Sequence, residues 1–177
     1  MPLTKLDPTS EEFSFLKPLV DGREKIVEEH NKMKHADYTN HFALTNWNLM
    51  LLQRGPDKVE NMKNFPTISN FSENFPDKYL LSYIAISEIG YGDTGYHYEM
   101  WTKADGYYRI HFPLANIDGC SIDIIEEDDQ IVNYRYELGS VYNFENPFNM
   151  HKPSNFNEDG SLRLMILMDF VEKGVNP

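Results

Sequence analysis

The residues best suited to chemistry in this sequence are a histidine and an acidic residue separated by one position, His97 and Glu99. The run from Gly95 to Trp101 has the composition of a β-strand, in which alternate side chains point to the same face. His97, Glu99 and Trp101 therefore share one face, and Tyr98 points to the other. An imidazole and a carboxylate on one strand face are a potential pair of metal ligands.

The next predicted strand carries two cationic or potentially cationic residues, Arg109 and His111. Alternation sends both to one face and the apolar Ile110, Phe112 and Leu114 to the other. Exposure to solvent is one explanation of the polar face, and a pocket lined by the neighbouring tyrosines is the other. A pocket of this kind would bind an anion.

Another histidine, His151, lies farther along the chain, and Arg163 follows it inside the most apolar strand. An arginine between two leucines of a core strand is costly to bury unless a fixed anion accompanies it. Asp169 lies on the same face but six residues away, too far along one strand to serve. A bound carboxylate ligand, held by the two arms of the guanidinium, would remove this cost.

Taken in order, these residues form a recognisable set. Two histidines and one carboxylate on a β scaffold are the ligand set of non-heme Fe(II) oxygenases, which leaves three coordination positions for co-substrate and oxygen. A deeply placed arginine after the second histidine is what a dicarboxylic co-substrate requires.

The elements that must position these residues are mostly strands. Two short helices are expected near the start: one follows the capping sequence at Thr9 and is stopped by Pro18, and the second runs from Arg23 to Lys34. Short antiparallel strands follow, separated by Gly, Asp and Asn turn signals. They are expected at Trp47 to Leu51, Tyr79 to Ile89, Gly95 to Trp101, Tyr107 to Leu114, Cys120 to Ile125, Ile131 to Leu138 and Leu162 to Val171. The stretch from Arg54 to Asp77 is expected to be a connection. This pattern predicts a mainly β sandwich or jelly roll.

Length and composition limit the partners. A chain of 177 residues predicts one structural domain, with residues 1–45 as a helical segment packed on the sheet and residues 46–177 as the β core. The formal net charge of −12 argues against nucleic acid or an anionic membrane as the partner. Cys120, the only cysteine, excludes an internal disulfide, and the sequence shows no apolar signal segment. We expect a cytoplasmic protein that is a monomer or a homodimer.

Several motifs resemble the aspartyl/asparaginyl β-hydroxylase family, a branch of the 2-oxoglutarate-dependent oxygenases that includes related proline hydroxylases. The most specific is Tyr108 to Leu114 (YRIHFPL), which is similar to the family's Arg-x-His-x-Pro-Leu strand. His151, Asn155, Arg163 and Asp169 are similar to its closing pattern. Trp47 and the segment from Asn64 to Thr67 are similar to its lead-in. The resemblance extends over about two-thirds of the chain, from Trp47 to Phe170.

The resemblance implies a double-stranded β-helix, a cupin-like jelly roll with short N-terminal helices. It also implies that His97 and His151 bind Fe(II) and that Arg163 binds the distal carboxylate of 2-oxoglutarate. Arg109, His111 and Ser87 would line the co-substrate pocket, and Trp101, Tyr98 and Asn155 would face the substrate. Glu99 departs from the pattern, because relatives of the proline hydroxylase type carry aspartate there, and it either binds the metal in another geometry or lies behind the ligands.

The implied activity is the hydroxylation of an amino acid of the Asp, Asn or Pro type, either free or within a polypeptide. Fe(II), 2-oxoglutarate and O2 are the expected cofactor and co-substrates, with succinate and CO2 as products. Two alternatives stay open from the sequence. One is a cupin-type metal enzyme with non-oxidative chemistry, and the other is a non-enzymatic jelly-roll binding module in which the histidines are incidental.

Overall fold

The structure is a computed structural model, and it describes residues 3–33, 42–44, 46–98, 106–126, 129–145 and 149–174. Twelve strands lie in these ranges: β1 Leu3–Leu6, β2 Phe42–Leu44, β3 Trp47–Arg54, β4 Asp57–Lys58, β5 Tyr79–Ile89, β6 Gly92–Asp93, β7 Tyr107–Ala115, β8 Cys120–Ile125, β9 Ile131–Arg135, β10 Val141–Phe144, β11 His151–Asn155 and β12 Arg163–Glu172. The helices are α1 Lys17–Asp21, α2 Arg23–Asn31 and α3 Pro66–Glu73, and short 3-10 turns lie at Ser14–Leu16 and Glu60–Asn64.

The strands form two antiparallel sheets. The larger sheet has the order β1-β10-β7-β12-β5-β3-β2, with β4 paired to β3, and the smaller sheet has the order β6-β11-β8-β9. Apolar side chains of both sheets, including Ile122 and Ile124 of β8 and Met165 and Leu167 of β12, form one cluster between them. The predicted mainly β jelly roll with short N-terminal helices is therefore confirmed.

Strand β12 shows why the last strand of the sequence is apolar almost throughout. Leu164 and Ile166 belong to a core cluster on the outer face of the larger sheet, where the three helices pack. Met165 and Leu167 point the other way, into the space between the sheets. Because both faces are covered, the alternation of apolar and polar residues expected of a half-exposed strand disappears. Polar residues on the inner face, such as Arg163, are costly to bury unless they have hydrogen-bonding or charged partners.

The structure differs from the sequence-based expectation in several elements. Pro18 does not stop a helix but occupies the first turn of α1, where its missing N–H is no disadvantage. The predicted connection from Arg54 to Asp77 contains α3, which buries Ile68 and Phe71 against the sheet. The N-terminal segment contributes β1 to the larger sheet beside β10, so residues 1–45 are not purely helical. Strands β10 and β11 were also missed, because each is short and β11 (HKPSN) is rich in polar residues.

Candidate active site

Two histidines face each other at the junction of β6 and β11. His151 is the first residue of β11, and its backbone forms two antiparallel hydrogen bonds with His97, of 2.8 and 2.9 Å. The two imidazole centroids are 4.4 Å apart. The predicted pair of metal ligands, more than fifty residues apart in the chain, is thus brought together by the pairing of two backbone segments.

The hydrogen bonds of these histidines define how each ring is protonated. Nδ1 of His97 lies 3.1 Å from the carbonyl oxygen of Gly95, and Nδ1 of His151 lies 2.9 Å from that of Asn149. A carbonyl oxygen only accepts, so each Nδ1 carries a hydrogen, and in the neutral ring the lone pair is then on Nε2. Metal-binding histidines are typically oriented by such a bond from the other ring nitrogen. Both rings therefore have the tautomer of an Nε2 metal ligand.

Each of the two histidine rings contacts an aromatic side chain. The Phe144 ring packs edge-on against His151 with a centroid distance of 4.8 Å. The Trp47 indole stacks on His97 with a centroid distance of 5.4 Å and an interplanar angle of 29°. Each imidazole is thus supported by an aromatic side chain of the larger sheet.

A cavity opens between the two sheets beside these rings. Its walls come from four strands of the larger sheet, from β11 and from the segment after β6. The lining residues are Trp47, Ser87, Ile89, His97, His111, His151, Pro153, Arg163 and Leu167. Both predicted histidine ligands and three of the four predicted co-substrate residues are in this set.

Arg163 is the most unusual residue of the cavity, because its guanidinium is buried and no described carboxylate pairs with it. Its side chain is 2 % exposed. Nη1 lies 3.5 Å from the Ser154 carbonyl oxygen, Nη2 lies 3.3 Å from the Met165 sulfur, and the guanidinium packs 5.0 Å from the centroid of the Tyr136 ring. Within the described ranges its Nε has no hydrogen-bond partner and no acidic side chain forms an ion pair with it. A buried cation with such weak partners is a strong candidate for binding an anion.

His111 lies on the same wall and is also fully enclosed. Burial is the main cause that holds the pKa of His111 well below its usual value, and the nearby charges of Arg109 and Arg163 act in the same direction. Its Nδ1 lies 2.7 Å from the Tyr136 hydroxyl. Burial raises the pKa of Tyr136 to about 12, so this hydroxyl keeps its proton at neutral pH. His111 is therefore a neutral hydrogen-bonding group beside the cation of Arg163.

Ser87 and Trp47 form a pair on neighbouring strands. The indole Nε1 donates a 2.9 Å hydrogen bond to Oγ of Ser87, whose side chain is buried. The Ser87 hydroxyl accepts this bond and keeps its own proton for another acceptor in the cavity. The predicted co-substrate serine is thus at the cavity wall, and its orientation depends on Trp47.

Arg109 forms an ion pair in the interior of the protein. Its Nη1 donates a 2.7 Å hydrogen bond to Oδ2 of Asp169, and both side chains are buried. Arg109 is not among the residues that line the cavity. Its assignment to the co-substrate pocket stays a prediction, while the described contact is that of a buried structural ion pair.

None of the described residues predicted to face the substrate lines the cavity. Asn155 is fully buried and uses its side chain for structure: Nδ2 donates to the carbonyl oxygens of Ile89 and Ser161, and Oδ1 accepts from the backbone of Asn157. Tyr98 is 54 % exposed and does not line the cavity. Trp101 lies outside the described residues.

Glu99, the predicted carboxylate ligand, also lies outside the described residues. In the parts of the chain that are described, no group of three or more His, Cys, Asp or Glu side chains is arranged to hold a metal ion. The described donor set is therefore a pair of histidines, and the assignment of Glu99 as a third ligand stays a prediction.

Tyr136 contacts the cavity residues His111 and Arg163, and sequence reasoning missed it. It follows β9, where Val132, Tyr134 and Tyr136 alternate with exposed residues, and it is buried while Arg135 is exposed. This alternation was visible in the sequence and could have placed Tyr136 on an inward face. Nothing in the sequence could have shown that its hydroxyl would meet His111.

Comparison with known proteins supports the fold but not a sequence family. No protein-family model matches the sequence, and no curated protein matches it. Among solved structures, the chain is similar to a 2OG-Fe(II) oxygenase family oxidoreductase from Burkholderia pseudomallei, with 11% identity, a TM-score of 0.55 and coverage of 84% of this chain and 77% of that chain.

Two further structures are prolyl hydroxylases. For a prolyl-4-hydroxylase from Pseudomonas putida the identity is 11%, the TM-score 0.54 and the coverage 98% of this chain and 94% of that chain. The other is a Trichoplax adhaerens prolyl hydroxylase, solved with a hypoxia inducible factor peptide fragment. Its identity is 9%, its TM-score is 0.57, and the coverage is 95% of this chain and 96% of that chain. At these identities the likeness is one of fold, and it confirms the predicted double-stranded β-helix. Separately, none of the described helices has the length and apolar character needed to span a membrane.

Proposed function

We propose that this protein is an Fe(II)- and 2-oxoglutarate-dependent dioxygenase that hydroxylates an amino acid of the Asp, Asn or Pro type, free or within a polypeptide. The observation that carries the proposal is the buried guanidinium of Arg163, which has no carboxylate partner in the described chain and shares a cavity with His97 and His151. A metal-ligand pair and an anion-binding cation in one cavity are what a metal-bound dicarboxylate requires.

The metal would be held by Nε2 of His97 and Nε2 of His151. The hydrogen bonds from the two Nδ1 atoms to backbone carbonyls support this assignment, because they fix the ring tautomers and orientations before a metal binds. Imidazole suits iron among several divalent metals. We propose Glu99 as the third ligand, since a His-x-Glu spacing on an extended segment directs both side chains to one face.

The co-substrate would be held by its two ends. Arg163 would bind the distal carboxylate through paired N–H donors, replacing the weak contacts that the guanidinium makes to Ser154 and Met165. His111 and the Ser87 hydroxyl line the same cavity and can complete the hydrogen bonding of a bound carboxylate. The cavity walls Ile89 and Leu167 are apolar and would exclude water from the bound co-substrate.

When bound, iron and 2-oxoglutarate would supply the oxidation of an unreactive C–H bond by O2, with release of succinate and CO2. The contribution of this chain is to bind the ligands in a fixed arrangement and to exclude competing water. Positioning of this kind accounts for a large part of the rate in enzymes that leave the difficult step to a cofactor.

Anaerobic calorimetry with Fe(II), followed by 2-oxoglutarate, tests the binding half of the proposal. Tight binding of both is expected. His151→Ala is expected to weaken metal binding sharply, and Arg163→Met is expected to weaken 2-oxoglutarate binding. Succinate formation is then measured in air with ascorbate and a panel of free Asp, Asn and Pro and peptides that contain them. A purified protein that binds neither ligand contradicts the proposal, and one that binds metal but no 2-oxoglutarate favours non-oxidative cupin chemistry.

A further inference from the structure

We propose that Trp47 is a positioning residue that fixes the His97 imidazole in the orientation needed for metal binding. The inference rests on the proposed metal site and goes beyond it, because it assigns to a residue of the larger sheet the control of a ligand on the smaller one. The observation that carries it is the stacking of the Trp47 indole on the His97 ring, with centroids 5.4 Å apart.

The described backbone hydrogen bonds of His97 all go to the smaller sheet. Strand β6 is only two residues long, and His97 lies four residues beyond it, where it forms two backbone hydrogen bonds with His151 of β11. Along the side chain, Nδ1 meets the Gly95 carbonyl at 3.1 Å and the Thr94 hydroxyl at 3.4 Å. Both partners belong to the same short segment as His97, and the His151 ring, 4.4 Å away between centroids, belongs to the smaller sheet, so none of these contacts ties the imidazole to the larger sheet.

Trp47 connects the His97 ring to the larger sheet, because the position of Trp47 is fixed by that sheet. It is the first residue of β3 and pairs with Ile89 of β5. Its indole N–H is bonded to Oγ of Ser87, which is buried on β5. Ser87 in turn lies opposite Met165 of β12, two residues from Arg163. The contact chain from Ser87 through Trp47 to His97 therefore ties a proposed metal ligand to the sheet that carries the proposed co-substrate anchor.

Fluorescence gives a direct test, since the sequence has only two tryptophans. In Trp101→Phe protein, all indole emission comes from Trp47. Co(II), used here as the probe metal, quenches fluorophores at short range, so its binding is expected to quench this emission with the same midpoint that calorimetry gives. Closed-shell Zn(II) should bind and leave most of the emission. If Co(II) binds and the Trp47 emission does not change, the inference is overturned without any change at position 47.

Substitutions at position 47 test the positioning role itself. In the Trp101→Phe background, Trp47→Leu is expected to weaken Co(II) binding by about 10- to 100-fold, the usual effect of losing a residue that orients a metal ligand. Trp47→Phe keeps a stacking ring and should recover most of the affinity. Tyr91→Leu is the matched control, because it removes an aromatic ring that is 64 % exposed. Circular dichroism establishes that each variant is folded.

The visible absorption of bound Co(II) separates positioning from general stability. Loss of orientation at His97 should change the spectrum of Trp47→Leu toward that of His97→Ala, while Trp47→Phe should keep the spectrum of the parent. A Trp47→Leu protein with the parent's affinity and spectrum overturns the inference and leaves the metal site intact. Absence of Co(II) binding in the unaltered protein overturns the metal site and the inference with it.

Discussion

Arg109 and Asp169 face each other on β7 and β12 and form a 2.7 Å ion pair in the interior, where their side chains are 4 % and 3 % exposed. The Arg109 backbone N–H is bonded to the Asn143 side chain, which ties the pair to β10 as well. Arg163, on the same face of β12 as Asp169, has no such carboxylate among the described residues. The two buried arginines of the inner face therefore have opposite consequences when they are removed.

For the ion pair, the expected result is a large loss of stability when one partner is removed. Asp169→Leu leaves the Arg109 cation buried and uncompensated, which should lower the free energy of unfolding by about 3–5 kcal/mol. The double variant Arg109→Met with Asp169→Leu should recover most of this loss. Urea unfolding measures both. Asp21→Leu, which breaks the exposed pair of Lys17 and Asp21, is the matched control and should change stability little.

For Arg163, the expected result is a loss of binding without a loss of stability. Arg163→Met removes a buried charge that lacks a partner, so the unfolding free energy without ligand should stay the same or rise. Affinity for 2-oxoglutarate should fall by about 2 kcal/mol or more, roughly thirtyfold, because the carboxylate loses its charged partner. Calorimetry and urea unfolding of the same protein make the comparison.

The matched control for Arg163 is Arg54→Met, at an exposed position of β3. It should leave both quantities close to those of the unaltered protein. A stable Arg163→Met protein that still binds 2-oxoglutarate with full affinity would contradict the assignment of Arg163 as the anchor.

The sequence predicted relationships between residues of one strand, but not contacts between residues far apart in the chain. Alternation along a strand predicted that Arg109 and His111 share a face, and that Arg163 and Asp169 share another, because this requires only the period of the strand. The pairing of Arg109 with Asp169 depends on the register of β7 against β12, which joins residues sixty positions apart. No local pattern contains that register.

For the candidate site, the sequence likewise predicted residues but not the contacts between distant strands. His97, His111, His151, Arg163 and Ser87 were predicted as site residues, and the structure brings them to one cavity. The sequence could not define the role of Asn155. An asparagine that contacts a ligand and one that hydrogen-bonds to three backbone groups give the same sequence pattern. The contact of Tyr136 with His111 joins the end of β9 in the smaller sheet to β7 in the larger sheet. It depends on how the two sheets pack, which no local sequence pattern shows.

Asn155 gives a prediction that separates a structural role from a substrate contact. Its side chain satisfies two carbonyl oxygens and one backbone N–H in a fully buried position. Asn155→Ala should therefore lower the unfolding free energy by about 1–3 kcal/mol or more, because buried polar groups lose their partners. The exposed Asn70→Ala is the matched control. Unchanged stability in Asn155→Ala, combined with altered substrate preference, would return Asn155 to the substrate pocket.

The neutral state of His111 makes stability depend on pH in a defined direction. Burial and the charges of Arg109 and Arg163 hold its pKa well below the usual value in the folded protein, while in the unfolded chain it titrates near 6.5. Above that pH both states are neutral at this position and it contributes no pH dependence. As the pH falls below about 6.5, the unfolded chain takes up a proton that the folded protein does not, and stability is lost by up to about 1.4 kcal/mol per pH unit. This loss continues until the lowered pKa of the folded state is reached.

Urea unfolding of the metal-free protein at several pH values between about 5 and 7.5 measures this effect, since the window lies just below the unfolded pKa. His111→Gln keeps a polar side chain that can hydrogen-bond to the Tyr136 hydroxyl but cannot be protonated. The unaltered protein should lose stability more steeply than the variant as the pH falls, and the two should converge in slope above about pH 7. Equal slopes through the acidic range would mean that His111 accepts a proton in the folded state, and a charged His111 would then reinforce Arg163 as an anion-binding group.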